Sequence, residues 1–264
     1  MIHITEKTTL AIAITLEFAI VAVMAGGADK KPEAQKSNPP AADAPTNSLT
    51  KGLVAHWDFD ENDGTKVGDK TQEGNAGTIQ GGAKWIDGPL KHALSFDGVD
   101  DHVTVGNPRA LDLPEHMSAF AWIRFENVTA GGNGQCVYGQ TNPGGNGGQY
   151  ELCVGRGKNV NEVTVLWKDV DVCASKSQLK TGQWYHVGFT RTGMRGNWTC
   201  TVYIDGVASN VANNIATDVG QPLPFAIGRP GAYNGLYFAG AIDDMRIYNR
   251  ALSTAEVAAL FKVR

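Results

Sequence analysis

Apolar runs in this chain are short, alternate with polar residues and end almost everywhere in a turn signal. Such a chain is built from many short strands and not from helices. The 32 glycines, with Pro, Asn and Asp, supply the punctuation, and length allows a single large all-β domain among the 264 residues. Strands are expected at Leu53–Phe59, Gly77–Ile79, Ala93–Phe96, Val103–Val105, Ser118–Phe125, Cys136–Tyr138, Tyr150–Val154, Val163–Trp167, Trp184–Arg191, Thr199–Ile204, Phe225–Ile227 and Gly240–Tyr248. Asp205-Gly206 is a two-residue hairpin signal, because both positions tolerate positive φ. In Thr199–Ile204 the alternation puts Cys200, Val202 and Ile204 on a core face and Thr199, Thr201 and Tyr203 on a wet one. Only Ser253–Phe261 reads as helix, opened by a capping box from Ser253 to Glu256.

Two of these segments carry acidic pairs where a surface strand would carry Thr or Lys: Ala93–Val105, with Asp100 and Asp101, and Gly240–Ser253, with Asp243 and Asp244. Period-two alternation puts Asp243 on the face of Met245 and Ile247, where a carboxylate needs an arginine, backbone amides or a hard cation.

Residues 1–28 combine Lys7, an apolar run from Thr9 to Met24 and small residues at a cut site. They read as a secretory signal or, uncleaved, as a membrane anchor, the one route to a membrane that the chain offers. Glu17 inside the run disfavours both. Residues 29–48 are a Pro/Ala-rich spacer with little to bury, and residues 49–264 form the domain. The expected location is secreted, periplasmic or on the cell surface. Removing Glu6, Lys7 and Glu17 with the leader changes the net charge from −4 to −3, and no basic stripe invites nucleic acid. The even count of cysteines in an oxidising compartment favours disulfides. A hairpin around the Gly-rich loop would set Cys136 opposite Cys153 and leave Cys173 for Cys200, one of three possible connectivities.

Gly52–Glu61, Phe96–Asp101, Trp184–Val187, Val202–Gly206 and Ile242–Leu252 together resemble the laminin-G-like, concanavalin A-type jelly-roll domains of bacterial secreted proteins, over about Gly52 to Phe261. The resemblance implies an antiparallel jelly-roll sandwich. It also implies a structural calcium held by the Asp243 side chain, the Gly98 carbonyl and Asp58 or Asp60, in keeping with the oxygen ligands a hard cation takes. Tyr150, Trp167, Trp198, Tyr233 and Tyr237 fall at strand ends or in loops, where flat rings stack on sugars; for Trp167 and Trp198 a core position fits equally well. The Glu-x-Asp-x-x-Glu pattern of one hydrolase family on this fold is absent. Asp169 and Asp171 share a face only if their strand persists, and the histidines are dispersed. The expectation is therefore a non-enzymatic module that binds carbohydrate or a cell-surface ligand. A polysaccharide hydrolase or lyase and a protein-binding adhesion module stand as alternatives, since one fold serves many functions.

Overall fold

The computed structural model describes residues 46–126, 132–156 and 160–263. The expected leader, and the spacer up to residue 45, lie outside the described residues. A 3-10 turn spans Thr46–Leu49, just ahead of the expected domain start, and the Ser48 carbonyl accepts from Arg250 Nη2 at 2.7 Å.

The strands are β1 (Leu53–Trp57), β2 (Lys66–Val67), β3 (Gly77–Gln80), β4 (Lys84–Gly88), β5 (Lys91–Asp97), β6 (His102–Gly106), β7 (Met117–Phe125) and β8 (Gln135–Thr141). There follow β9 (Gly147–Val154), β10 (Val163–Trp167), β11 (Val170–Ala174), β12 (Tyr185–Met194), β13 (Asn197–Ile204), β14 (Val207–Ile215), β15 (Phe225–Ile227) and β16 (Ala239–Tyr248), then helix α1 (Thr254–Lys262). They form two antiparallel sheets packed as a sandwich. One sheet is ordered β14-β13-β12-β7-β16-β5-β4 with β1 also on β16, and the other β11-β10-β9-β8-β15-β6-β3-β2.

The Asp205-Gly206 hairpin forms as expected, with φ of 50° and 78°, and Lys168-Asp169 makes a second such turn at 52° and 60°. That second turn lets β11 fold back beyond Trp167. β14, absent from the sequence expectations, is an exposed edge strand that needs no apolar face and pairs with β13 through the first hairpin.

The main core lies between the sheets, where Trp57 of the first stacks on Phe225 of the second at 5.7 Å. A second core lies outside the first sheet, where α1 and the first 3-10 turn cover Phe120, Tyr203 and Tyr248. Tyr203 is therefore buried, against the expectation of a wet face, because α1 roofs that surface. The capping box closes both ways, with Glu256 N donating to Ser253 Oγ and Ser253 N to Glu256 Oε2. Among the described residues no helix is long and apolar enough to cross a membrane.

The acidic pair of β16 sits at a β-bulge between Asp243 and Arg246, with Asp244 at φ 45°. At that point β16 exchanges one neighbour for another: Ala239–Ile242 pair with β5, and Met245–Tyr248 pair with β1. The extra residue reverses the alternation. Ile242, Met245 and Ile247 all face the main core, and Asp243, paired with Trp122, lies on the opposite face. The expectation that Asp243 shares a face with Met245 and Ile247 is corrected by this bulge.

Candidate functional site

Turns at one end of the sandwich frame three adjoining depressions. The first, about 620 Å³, lies among Asp112, Glu115, Gln149, Arg195, Trp198 and the 219–222 segment. Gly220 and Gln221 continue into a second of about 400 Å³, bounded by Asn142, Asn146, Lys168 and Asp169. Asp169 leads on to a third of about 280 Å³, lined by Thr141, Glu151, Arg156 and Tyr233 among others. Shared walls make the three one continuous groove, formed by loops on a rigid scaffold.

Its first part is held in shape by an unusual buried cation. Arg191, in mid-β12, is fully buried and has no carboxylate partner among the described residues. Its guanidinium donates instead to three carbonyls, of Glu115 at 2.7 Å, Gln149 at 2.9 Å and Leu113, while Trp167 and Trp198 lie against it at 5.1 and 5.6 Å. Burial lowers its pKa to about 10. Gln149 completes the brace, accepting from Leu113 N at 2.7 Å and donating to Asp112 at 2.7 Å.

The third part is held by the 228–238 loop, which docks along β8: Gly231 N donates to Gly139 O at 3.0 Å, Ala232 N to Thr141 O at 2.9 Å, and Cys136 N donates to Leu236 O at 2.8 Å. Under this loop lies Glu151, only 3% exposed, on β9. Two glycines make room for it. A Cβ on Gly139 would stand 2.5 Å from Glu151 Cγ, and one on Gly147 would stand 2.7 Å from both Glu151 Oε1 and Asp169 Oδ1. Desolvation, reinforced by the Asp169 charge, raises the Glu151 pKa to about 8, so the group is a neutral acid at pH 7. Its Oε1 and the Oγ1 of Thr141 are buried without partners among the described residues.

Sequence reasoning missed Glu151, since a charged residue between Tyr150 and Leu152 reads as an ordinary wet-face position. Of the expected sugar-stacking rings, Tyr150 and Trp167 are fully buried in the main core and present no face to a ligand. Trp198 is 3% exposed and borders the first depression, whereas half-buried Tyr233 borders the third. Tyr237 lies away from the groove, beside His102 at 6.1 Å and under Arg229 at 5.9 Å. Asp169 is an exposed rim residue, and Asp171 pairs with Arg156.

A laminin G family model, described as the concanavalin A-like lectin/glucanases superfamily, matches residues 97–258. The chain belongs to this superfamily.

Among solved structures, domain 4 of AbnA, a GH43 extracellular arabinanase from Geobacillus stearothermophilus, in complex with arabinotriose, aligns at 24% identity and TM-score 0.61. It covers 80% of this chain and 98% of that one. The binding domain of Paraclostridial Mosquitocidal Protein 1 aligns at 15% identity and TM-score 0.61 over 80% of this chain and 52% of that one. Trypanosoma rangeli sialidase in complex with sialic acid aligns at 18% identity and TM-score 0.61, and this chain spans 32% of its length. At these identities the likeness is one of fold. No curated protein matches.

The superfamily resemblance implied a calcium held by Asp58, Asp60, Gly98 and Asp243, and the structure divides that set. Gly98 follows Asp97, which pairs with Ala239, four positions along β16 from Asp243 and so roughly 13 Å away at strand spacing. The acids around Gly98 hold their own turn: Asp97 Oδ1 accepts from Val99 N at 2.8 Å, and Asp101 Oδ2 from Asp97 N at 3.0 Å. Lys70 pairs with Asp58 at 3.2 Å and Lys91 with Asp60 at 2.7 Å. Asp243 keeps one mark of a cation ligand: Oδ2 accepts from Leu90 N at 3.0 Å, while Oδ1 is buried without a partner among the described residues. Desolvation raises its pKa to about 7. Asp244, by contrast, is held ionised by His56 Nε2 at 2.7 Å and Arg246 Nη2 at 2.9 Å. One orphaned oxygen is far from the several oxygens a calcium site needs, and the four residues do not fit as a set.

The four cysteines are buried free thiols here, where two disulfides were expected. Their neighbours are nonetheless the expected ones. Cys136 stands opposite Cys153 across β8 and β9, and Cys173 neighbours Cys200 where β11 packs against β13. Burial pushes the Cys136 and Cys200 thiols up, and the neighbouring Cys200 thiol draws Cys173 down.

Proposed function

We propose that this superfamily member is an exported, non-enzymatic recognition module that binds carbohydrate in the three-part groove. The observation that carries the reading is adjacency: three depressions share lining residues from the turns at one end of the sandwich onto the outer face of β8 and β9, a shape suited to an extended chain of sugar units and not to a compact ligand. Polar groups without partners along it, the Trp198 indole among them, await hydroxyls. The fold neighbour solved with arabinotriose supports the ligand class. Secretion, or display through an uncleaved amino-terminal segment, follows from the leader-like sequence.

Glycan-array binding, followed by calorimetry with the best ligand, tests this. Tyr233→Ala should weaken binding about tenfold, or ~1.4 kcal/mol, with an unchanged melting temperature. Equal affinity in the variant would remove Tyr233 from the site.

A second reading has one observation in its favour. A Glu151 whose pKa is raised by burial, with the Asp169 carboxyl close beside it, is the kind of carboxyl pair a glycosidase uses. Reducing-sugar release from the bound glycan separates the two, and the binding reading expects none.

The calcium proposal contracts to Asp243 alone, whose Oδ1 is buried without a partner among the described residues. If an ion locks β16 there, calcium should raise the melting temperature of the wild type but not of Asp243→Asn. A melt that ignores both calcium and chelator would leave Asp243 as a buried, largely protonated acid.

A further inference from the structure

We infer that the third depression is a subsite for a neutral sugar, one of whose hydroxyls bridges the carboxyl group of Glu151 and the carboxylate of Asp169. The inference rests on the carbohydrate-binding reading above and deepens it. Three features of the pocket carry it.

The first is geometry. Glu151 Oε1 and Asp169 Oδ1 both lie 2.7 Å from the position a Cβ on Gly147 would take, so the two oxygens stand no more than about 5.4 Å apart, a gap that one hydroxyl oxygen entering from the pocket can bridge with a hydrogen bond to each. The second is complementarity of donors and acceptors. A sugar hydroxyl has one proton to give and lone pairs to receive; Asp169 only accepts, and a protonated Glu151 donates. Asp169 is already oriented, since its Oδ2 accepts from Gly147 N at 2.7 Å. The third is the pair of orphaned atoms, Glu151 Oε1 and Thr141 Oγ1, in a pocket whose other polar groups are largely committed. A buried polar atom without a partner carries a desolvation penalty that a ligand hydroxyl relieves.

Charge selects against acidic sugars. The groups facing Glu151 are Asp169 and Asp171 from the β10–β11 hairpin, Arg156 beyond β9, Cys136 on β8, Cys153 on its own strand, and Tyr233 from the docked loop. The one cation among them, Arg156, is paired with Asp171. A uronate carboxylate seated here would meet the Asp169 charge, and the cation lining this depression, Arg156, is already paired.

The same arrangement makes binding pH-sensitive in one direction. Glu151 donates while protonated, and above about pH 8 it ionises, losing its proton and adding a second negative charge beside Asp169. Glu151→Gln keeps the shape and an N–H donor at every pH.

The test uses the full chain with arabinotriose, xylotetraose, cellotetraose and mannotetraose as neutral probes and trigalacturonate as the acidic one, by calorimetry at pH 6 and pH 9.5. Wild type should bind at least one neutral probe, lose about tenfold in affinity at the higher pH, and ignore trigalacturonate. Glu151→Gln should bind within a few-fold of wild type at pH 6 and keep that affinity at pH 9.5. Asp169→Asn should bind weakly at both. A carbon-13 carboxyl titration without ligand gives an independent readout, in which Glu151 should titrate well above ordinary glutamates. Neutral-probe binding with no pH dependence, or an ordinary Glu151 titration, overturns this inference and leaves the carbohydrate reading standing. Failure of every neutral probe to bind overturns both.

Discussion

Replacing Arg191 with methionine should destabilise the fold by about 3–5 kcal/mol, because it removes the guanidinium that donates to three carbonyls, two of them on buried residues. Methionine preserves much of the apolar contact with Trp167 and Trp198, so the loss reports the hydrogen bonds and not a cavity. The carbonyls of buried Leu113 and Gln149 would lose a donor away from water, and that of Glu115 would lose one at the edge of the groove. Urea unfolding with an unchanged slope would measure it. The variant that remains folded should also lose affinity in the first depression, since the segment around Asp112–Glu115 forms its wall. Lysine cannot reach three carbonyls with one ammonium, so Arg191→Lys should recover only part of the loss. A change below about 1 kcal/mol would mean that the carbonyls find other donors.

Oxidation is the second large effect. We propose that the exported protein carries Cys136–Cys153 and Cys173–Cys200 as disulfides, formed from thiols that already neighbour one another. The first closes a hairpin, and the second ties β11 of one sheet to β13 of the other. Reduction should lower stability by roughly 2–4 kcal/mol per bridge, in the picture where a cross-link restricts the unfolded chain. The bridge between sheets should matter more for the sandwich as a whole. Peptide mapping of nonreduced, exported protein should recover both pairs; four alkylatable thiols would contradict the assignment.

Local chemistry was legible in the sequence where it acts alone. Asp205-Gly206 announces its hairpin because few residue pairs accept two positive φ values, and Ser253 with Glu256 announces the helix start. The Cys136 to Cys153 juxtaposition followed from a hairpin and nothing more. Errors arose where tertiary structure adds a residue or a roof. Period-two counting fails for Asp243 because a bulge at Asp244 inserts one residue as β16 changes neighbours, a feature set by β1 and β5 far away in sequence. Tyr203 alternates as a surface residue and is buried only because α1 packs over it.

The groove was half visible. Stretches rich in Gly and Asn, Gly131–Gly148 and Gly228–Gly240, marked loops that could carry a site, and Tyr233 in the second of them borders the groove. Tyr150 and Trp167 show why aromatic residues alone mislead: the same ring that would stack on a sugar fills a core equally well. Glu151 and Arg191 carry no distinguishing local signal. A charge in an alternating run is ordinary, and only the docking of the 228–238 loop over β8, or of carbonyls around a guanidinium, removes it from water. Gly139 and Gly147 were the available hints, but reading them requires the register that sets each against Glu151.

Amide chemical-shift mapping with the tightest oligosaccharide tests the account most directly. Binding in the groove predicts shifts confined to residues 112–115, 141–151, 156, 168–169, 193–198, 219–223 and 230–236, saturating together as one site. Shifts centred instead on the α1-covered face of the other sheet, or on the turn around Gly98, would contradict it.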